Sequence, residues 1–360
     1  MRSLPSHDLS HLWRRMDTVL QRTILRLRGS RVASPERDEL TRTLISLPAR
    51  LGGMGILSFE DCASRAFEAS WVVSSTVLKT FIPDIAIPED KRTQKERCAE
   101  LFESQQSEML QGLITFERIL VVESASNLGR RWLSVLPTGP TLQMSDHEVS
   151  VSLHRRLLTY RKATYCGRCK LNATPPNDFI AHDDHCKSQY GIWTSRHNQI
   201  QKLWVKTLQR VEGIKVTKEP QIAGTDRCND IRIEGGRQIG TAVQDYDLQI
   251  TAISTKEAVT IAGQQPRNGF TSEKLVERAK DRLQEFLKRR VSDKVNNLPA
   301  SSVDPVPMLP LLMSSGGFLE EKTECELRKW RRMIGNDAFD FMLRRMAVIL
   351  VKARADSYQY

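Results

Sequence analysis

The sequence predicts an α+β protein with a helical N-terminal region, a short cysteine-rich segment, and a small mixed sheet flanked by helices. Apolar residues recur at helical spacing over residues 9–27, as on the buried face of an amphipathic helix. Further along, Ile231 and Ile233 alternate with polar residues, and residues 241–251 alternate again. Two such runs on either side of a Gly-Gly pair are typical of two strands joined by a turn.

Length and composition limit the classes to which the chain can belong. Its 360 residues and 41.1 kDa correspond to two or three domains. Hydrophobic residues make up 40% of the chain, which excludes full disorder, and no apolar run reaches the ~18 residues of a membrane helix. The N-terminus lacks the apolar core of a secretory signal, so we expect a reducing compartment and metal-binding cysteines. The formal charge of +11 favours a polyanionic partner, and we expect neither a membrane nor a small-molecule cofactor.

The first region, residues 1–137, is predicted to be helical with one glycine-rich interruption. The segment LPARLGGMGIL, residues 47–57, contains three glycines and a proline, which favour a shaped loop over a helix. We expect helices over 59–79 and 96–122. The turn-rich stretch 132–140 then indicates a domain boundary.

The second region, residues 138–195, contains a cluster of potential metal ligands. Its sequence CGRCKLNATPPNDFIAHDDHC gives a C-x2-C-x12-H-x3-C pattern when the histidine is His182. Four sulfur and nitrogen ligands at this spacing are what a structural zinc ion requires. His185 is a competing ligand, and ordinary buried cysteines are the other interpretation. The predicted zinc ligands are Cys166, Cys169, His182 and Cys186.

Carboxylates on the alternating segments are candidates for a second kind of metal site. Asp230 begins one predicted strand, and Asp245 and Asp247 project from one face of the next because they are two residues apart. Carboxylates at neighbouring strand ends can hold Mg²⁺ through oxygen ligands, although solvated charges are the plainer interpretation. Phosphate-cleaving sites often add a lysine, and the nearest are Lys274 and Lys280 in the following basic helix.

Several motifs follow one another in a distinctive order. LPARLGGMGI comes first; after the cysteine cluster come Arg196-His197-Asn198, then Asn229-Asp230-Ile231, then YDLQI at 246–250. This order resembles the C-terminal region of non-LTR retrotransposon polyproteins that carry a restriction-like endonuclease. In that family a CCHC zinc knuckle precedes Arg-His-Asn and a PD…D nuclease core, and an LPxRxGGxGI segment lies in the thumb after the reverse transcriptase palm. Here Asn229 stands where the family has proline.

The resemblance implies a fold and a reaction. It implies a PD-(D/E)xK restriction-endonuclease-like core over 196–300 and a basic helical tail over 301–360. The implied reaction is Mg²⁺-dependent nicking of target DNA, which leaves a 3′ hydroxyl that primes reverse transcription. The implied catalytic residues are Asp230, Asp247, Asp245 and Lys280, with Asp230 and Asp247 as the Mg²⁺ ligands. The sequence contains no Tyr/Phe-x-Asp-Asp turn of a polymerase palm, so polymerase activity is not expected from this chain alone.

Basic residues beside these motifs favour a nucleic-acid partner, because clustered Lys and Arg neutralise phosphates. A solubilising face is the alternative for such runs, and a structural hydrogen bond is the alternative for His197. The predicted nucleic-acid contacts are Arg196, His197, Arg155, Arg156, Lys170, Arg282 and Lys288. We expect DNA and RNA as partners, a palm from a longer element protein, and a nuclear location. The competing interpretation is a non-catalytic nucleic-acid-binding remnant of a decayed or domesticated retroelement.

Overall fold

The computed structural model describes residues 9–29, 38–159, 166, 168–170, 182, 184, 186–222, 224–235, 243–253, 257, 272–296 and 306–358. Within these residues the chain forms ten α-helices and one four-stranded mixed sheet, so the predicted α+β class is confirmed. No helix in this described part is both long and apolar enough to cross a membrane.

Six helices precede the cysteine cluster in the described part of the chain. They are α1 (Ser10–Leu27), α2 (Asp38–Ser46), α3 (Phe59–Leu78), α4 (Gln94–Gly112), α5 (Thr115–Ala125) and α6 (Asp146–Arg156). The prediction of one helix over 96–122 is wrong, because Leu113 leaves the helical conformation with ψ of 146° and α5 begins two residues later. A capping box formed by Thr93 and Glu96 begins α4.

The glycine-rich segment 47–57 forms a close-packed loop between α2 and α3. A single 3-10 turn covers Ala49–Leu51, and Gly52 follows with a φ of +96°, a conformation that favours glycine. At Gly53 a Cβ atom would lie 2.1 Å from the carbonyl oxygen of Leu47, so a side chain has no room there. The predicted loop therefore owes its shape to backbone contacts that only glycine permits.

Four helices and the sheet make up the rest of the described structure. The helices are α7 (Tyr190–Leu208), α8 (Ser272–Asn296), α9 (Glu321–Ile334) and α10 (Asn336–Ser357). The strands are β1 (Lys215–Lys218), β2 (Ile231–Glu234), β3 (Val243–Thr251) and β4 (Met308–Ser314), in the spatial order β1-β2-β3-β4. The first three strands pair antiparallel, whereas β4 runs parallel to β3.

The register of the sheet confirms the predicted pair of strands and adds two that the sequence pattern missed. Ile231 of β2 lies opposite Tyr246 of β3, as an antiparallel pair requires. The segment 301–360 is not only the helical tail that we predicted, because β4 pairs with β3 along its whole length. The sequence of β4, MLPLLMS, does not alternate between polar and apolar residues, and proline is rare in central strands. In the structure β4 is an edge strand, where proline is tolerated.

Two hydrophobic cores hold these elements together. The first lies among the N-terminal helices and includes Leu283 and Leu287 of α8, so the predicted segments 1–137 and 196–300 share it. The second lies between the sheet, α7, α9 and α10. At its centre Trp330 makes edge-to-face contacts with Trp204 and Tyr246, with ring centroids 5.3 and 5.4 Å apart.

Candidate functional site

The four predicted zinc ligands lie together in the structure. The ligand atoms of Cys166, Cys169, His182 and Cys186 are all within 4.8 Å of one another. Cys166 Sγ lies 3.9 Å from Cys186 Sγ, and Cys169 Sγ lies 3.2 Å from His182 Nε2. Zinc–sulfur bonds of about 2.3 Å in a tetrahedron separate two sulfurs by about 3.8 Å. The cluster can therefore hold a metal such as zinc. The competing ligand His185 lies outside the described residues.

Short local contacts shape this Cys3His cluster and attach it to the end of α10. The backbone N–H of Lys170, at a φ of +62°, donates to Cys166 O at 2.9 Å and closes the turn between the first two ligands. Arg168 Nη2 donates to Asp356 O at 2.7 Å, and Gln189 Nε2 donates to Ser357 O at 2.8 Å. The cluster is thus docked on the C-terminal end of the last helix.

Arg155, predicted to contact nucleic acid, is instead buried in an ion-pair network beside this cluster. Its guanidinium donates to Glu123 Oε2 at 2.9 Å and to Asp184 Oδ2 at 2.8 Å. Burial acts to lower the pKa of Arg155, but the charges of Asp184 and Glu123 outweigh it and hold the pKa above its ordinary value. Glu123 also accepts a hydrogen bond from the backbone N–H of Gly316 at 2.8 Å. Arg155 therefore joins the metal cluster to the helical body and is not exposed to a ligand.

Arg156, also predicted to contact nucleic acid, is equally buried and has a structural task. It donates to the carbonyl oxygens of Gly53 at 2.6 Å, Ala49 at 3.1 Å and Ser124 at 3.0 Å. Burial, with the nearby charge of Arg130, lowers the pKa of Arg156 to about 9. Arg156 thus fixes the glycine-rich loop against α5.

Asp230 and Asp247 meet at the junction of β2 and β3. Their carboxyl groups interact, since Asp230 acts to raise the pKa of Asp247 and Asp247 acts to lower that of Asp230. Lys294, near the end of α8, places its Nζ 2.6 Å from Asp247 Oδ2. Burial raises the pKa of Asp247 to about 6, opposed by the charge of Lys294 and assisted by Asp230. The structure therefore brings the two predicted aspartates together with a lysine beside them.

Hydrogen bonds from α7 and β3 fix the position of Asp230. His197 Nε2 lies 3.1 Å from Asp230 Oδ2, which also accepts the backbone N–H of Leu248 at 2.6 Å. Gln201 Nε2 donates to Asp230 O at 2.9 Å. Burial acts to raise the pKa of Asp230, but the bonds from His197 and its neighbours lower it overall. The hydrogen bond to Asp230 in turn raises the pKa of His197.

Asp245, predicted to assist Asp230 and Asp247, is buried and fully engaged elsewhere. Arg232 donates to its two oxygens at 2.7 and 2.9 Å, and Asn229 Nδ2 donates to Oδ2 at 2.8 Å. Although Asp245 and Asp247 share a strand face as predicted, Asp245 holds β2 to β3 and lies opposite Arg232 rather than Asp230.

The lysine beside the aspartates is Lys294, not Lys280. Lys280 lies fourteen residues earlier in the same helix, roughly 21 Å along its axis, and lines a different pocket. The sequence predicted the correct helix but the wrong lysine within it, because no local pattern distinguishes one lysine of a basic helix from another. Lys294, Arg290 and Arg227 line an open cleft of about 450 Å³ that reaches Asp247.

The other predicted basic contacts differ in their surroundings. Arg196 is buried, and burial lowers its pKa despite the charge of Asp184. Arg282 pairs with Glu285 at 3.1 Å, and Lys288 pairs with Glu321 at 2.6 Å. Lys170 is exposed beside the cysteine cluster, as Lys288 is on α8.

No known protein family matches this chain, and no curated protein matches it significantly. The function must therefore be argued from the motif residues and from the geometry of the two clusters.

Proposed function

We propose that the chain is a Mg²⁺-dependent DNA endonuclease that nicks its target to prime reverse transcription. In this proposal the sheet with α7 and α8 is a PD-(D/E)xK-like core. The single observation that carries it is the convergence of Asp230, Asp247 and Lys294 beside the two central strands, β2 and β3. Two carboxylates with a lysine beside them are the side-chain set of a metal-dependent phosphodiesterase.

The donor set fits the proposed metal. Asp230 and Asp247 offer carboxylate oxygens, the ligands that Mg²⁺ prefers, and the ion usually retains several waters. When bound, Mg²⁺ would polarise the phosphodiester and activate a water molecule. Arg227 and Arg290 line the cleft beside Asp247, and their positive charges suit a phosphate backbone.

The chain's own residues have separate tasks in this proposal. Lys294 balances the charge of Asp247 and lies where it can orient a water or contact a phosphate oxygen. His197 acts as a positioning residue, because it contacts Asp230 and not the open cleft. Arg290 is held at the cleft by Glu257, 2.5 Å from its guanidinium.

The same proposal assigns partners and a location. The Cys3His cluster would be a zinc knuckle beside the nuclease core. DNA is the substrate, RNA a further partner, and a reverse transcriptase palm from a longer element protein would use the nicked end. The site of action would be the nucleus.

A non-catalytic nucleic-acid-binding module is the second candidate, and one observation favours it. Oδ2 of Asp230 already accepts hydrogen bonds from Leu248 and lies against His197, so the carboxylate also serves to hold the strands. In such a remnant the aspartates would be structural, and DNA binding would persist without cleavage.

A nicking assay on supercoiled DNA separates the two candidates. The protein is tested with Mg²⁺ added or omitted rather than chelated, so that the cysteine cluster keeps its metal. Asp247→Asn and Lys294→Ala should each reduce nicking by about 100-fold or more, because each removes a group at the reacting centre. Binding of the same DNA, measured by fluorescence anisotropy, should change much less.

Two control variants sharpen this test. Arg289→Ala removes an exposed charge from the same helix outside the cleft and should leave nicking unchanged. Lys280→Ala should reduce nicking less than Lys294→Ala. Nicking that survives Asp247→Asn contradicts the assignment, whereas binding without any Mg²⁺-dependent nicking supports the remnant.

A further inference from the structure

A second pocket lies where α8 packs beside α5 and the glycine-rich loop. It has a volume of about 350 Å³, within the range of small-ligand sites. Leu51 and Phe318 contribute to an apolar wall. This pocket is separate from the cleft at Asp247, and nothing in the proposed nuclease reaction uses it.

Three cations line this pocket without acidic partners. Within the described residues, no carboxylate lies within ion-pair distance of Arg50, Arg130 or Lys280. Burial lowers the pKa of Arg130, and the charges of Arg131 and Arg50 lower it further. The one carboxylate on the lining, Glu324, is already paired with Arg328 at 2.9 Å. The pocket thus has an uncompensated positive charge.

The shape of the glycine-rich loop places one of these cations. Arg156 binds the carbonyl oxygens on both sides of Arg50, those of Ala49 and Gly53, and so fixes the backbone that carries it. Arg130 uses Nη1 to donate to Ala125 O at 2.9 Å, which leaves its other N–H groups for a ligand. The backbone that carries Arg50 and one end of the Arg130 guanidinium are therefore held in place.

Two of the three amide side chains that line the pocket, Gln106 and Gln284, are committed to its walls, whereas that of Asn127 is exposed. Gln106 Nε2 donates to Leu51 O at 3.0 Å. Gln284 Nε2 donates to Leu319 O at 2.9 Å, and its Oε1 accepts the backbone N–H of Glu321 at 3.1 Å. The groups that remain to recognise a ligand are the three cations, the exposed amide of Asn127 and the apolar side chains of the lining.

We propose that this pocket binds the phosphate monoester of a nucleotide, with its base against the apolar wall. A phosphate monoester carries a charge of about −1.5 to −2 at pH 7 and three acceptor oxygens, which match a pocket lined by three cations better than a diester with one charge does. The ligand is either a free nucleotide or the 5′-phosphorylated end of a strand. The inference stands apart from the proposed nuclease activity.

Titration with matched pairs of ligands in Mg²⁺-free buffer tests this proposal without DNA cleavage. Adenosine monophosphate is compared with adenosine by calorimetry. A ten-nucleotide strand with a 5′ phosphate is compared with its 5′-hydroxyl form by anisotropy. We expect the phosphorylated member of at least one pair to bind ten times more tightly or better. Preference for the monophosphate assigns the pocket to a free nucleotide, and preference confined to the strand assigns it to a strand end.

Charge-reversal variants locate the binding. Lys280→Glu and Arg50→Glu alter exposed side chains and should each weaken the preferred ligand at least tenfold. Arg289→Glu makes the same charge change on the same helix outside the pocket and should retain affinity. Thermal unfolding verifies that each variant is folded. Equal affinity within both pairs, no binding of either phosphorylated ligand, or an equal loss in Arg289→Glu would overturn the proposal.

Discussion

The Cys3His cluster and the aspartate pair are both candidate metal sites, but they balance their charges differently. Around the cysteine cluster, the nearest buried cation, Arg155, is already bound to Asp184 and Glu123. At the aspartate pair, Lys294 contacts Asp247 directly and supplies part of the positive charge that two carboxylates require. We therefore expect the first site to depend on a metal for its folding and the second to keep its shape through hydrogen bonds and the contact with Lys294.

This difference separates a structural site from one suited to exchange. Structural metal sites contribute binding energy to the fold, because the unfolded chain has no site. A site whose ligands are fixed by Leu248, His197 and Lys294 can lose its ion without losing its shape. Three changes should therefore alter the free energy of unfolding by decreasing amounts. They are removal of metal from the cysteine cluster, replacement of the buried Arg155, and addition of Mg²⁺ at the aspartate pair.

The largest effect is expected from loss of the cysteine cluster's metal. Chelation or Cys186→Ser should lower the free energy of unfolding by more than about 5 kcal/mol, given the binding energies of structural zinc. Because Arg168 and Gln189 dock this segment on α10, the loss should extend beyond the segment itself. Thermal unfolding with zinc removed and restored measures it. The control is Cys325→Ser, which changes an exposed cysteine outside the cluster. An equal melting temperature with and without metal would contradict a structural role for metal at the cysteine cluster.

A smaller effect is expected when Arg155 is replaced. Arg155→Met should cost about 3–5 kcal/mol, because it leaves the carboxylates of Glu123 and Asp184 buried without a cation. Urea denaturation measures the change. The control is Arg131→Met, whose pair with Asp340 at 3.0 Å is partly exposed and should contribute at most about 1 kcal/mol. Similar losses of unfolding free energy in both variants would show that the buried ion pairs of Arg155 stabilise the fold no more than a partly exposed pair does.

The smallest effect is expected from Mg²⁺ at the aspartate pair. At about ten times its dissociation constant, an ion that binds only the folded state stabilises it by about 1.4 kcal/mol. Urea denaturation with MgCl2, against NaCl at matched ionic strength, should show this gain in the wild type and not in Asp247→Asn. A gain that Asp247→Asn retains places the ion elsewhere.

The sequence predicted those parts of the fold and sites that depend on local pattern. The four cysteine-cluster ligands lie within twenty-one residues, and the β2–β3 pair shows alternation of polar and apolar residues. The spacing of residues was therefore enough to predict both features. The choice of Asp230 and Asp247 as a pair came instead from the resemblance in motif order, since alternation only placed Asp245 and Asp247 on one strand face.

What the sequence did not predict depends on contacts between distant segments. Lys294 reaches Asp247 because α8 crosses the sheet at a particular turn, and Arg155 is buried because Glu123 and Asp184 converge on it. The sequence of the edge strand β4 shows neither alternation of polar and apolar residues nor a turn that would predict a strand there. A basic residue looks the same in sequence whether it faces solvent, a phosphate or a buried carboxylate.

The position of β4 and α10 has a consequence for how the chain is made. In the second core Trp204 packs with Trp330 and Met346, which both lie more than a hundred positions later in the sequence. On a ribosome that adds about 5–20 residues per second, α7 and β3 must wait several seconds for these partners to emerge. During that interval the apolar faces of α7 and β3 are uncovered, so we expect the chain to be most prone to aggregation until α9 and α10 have emerged.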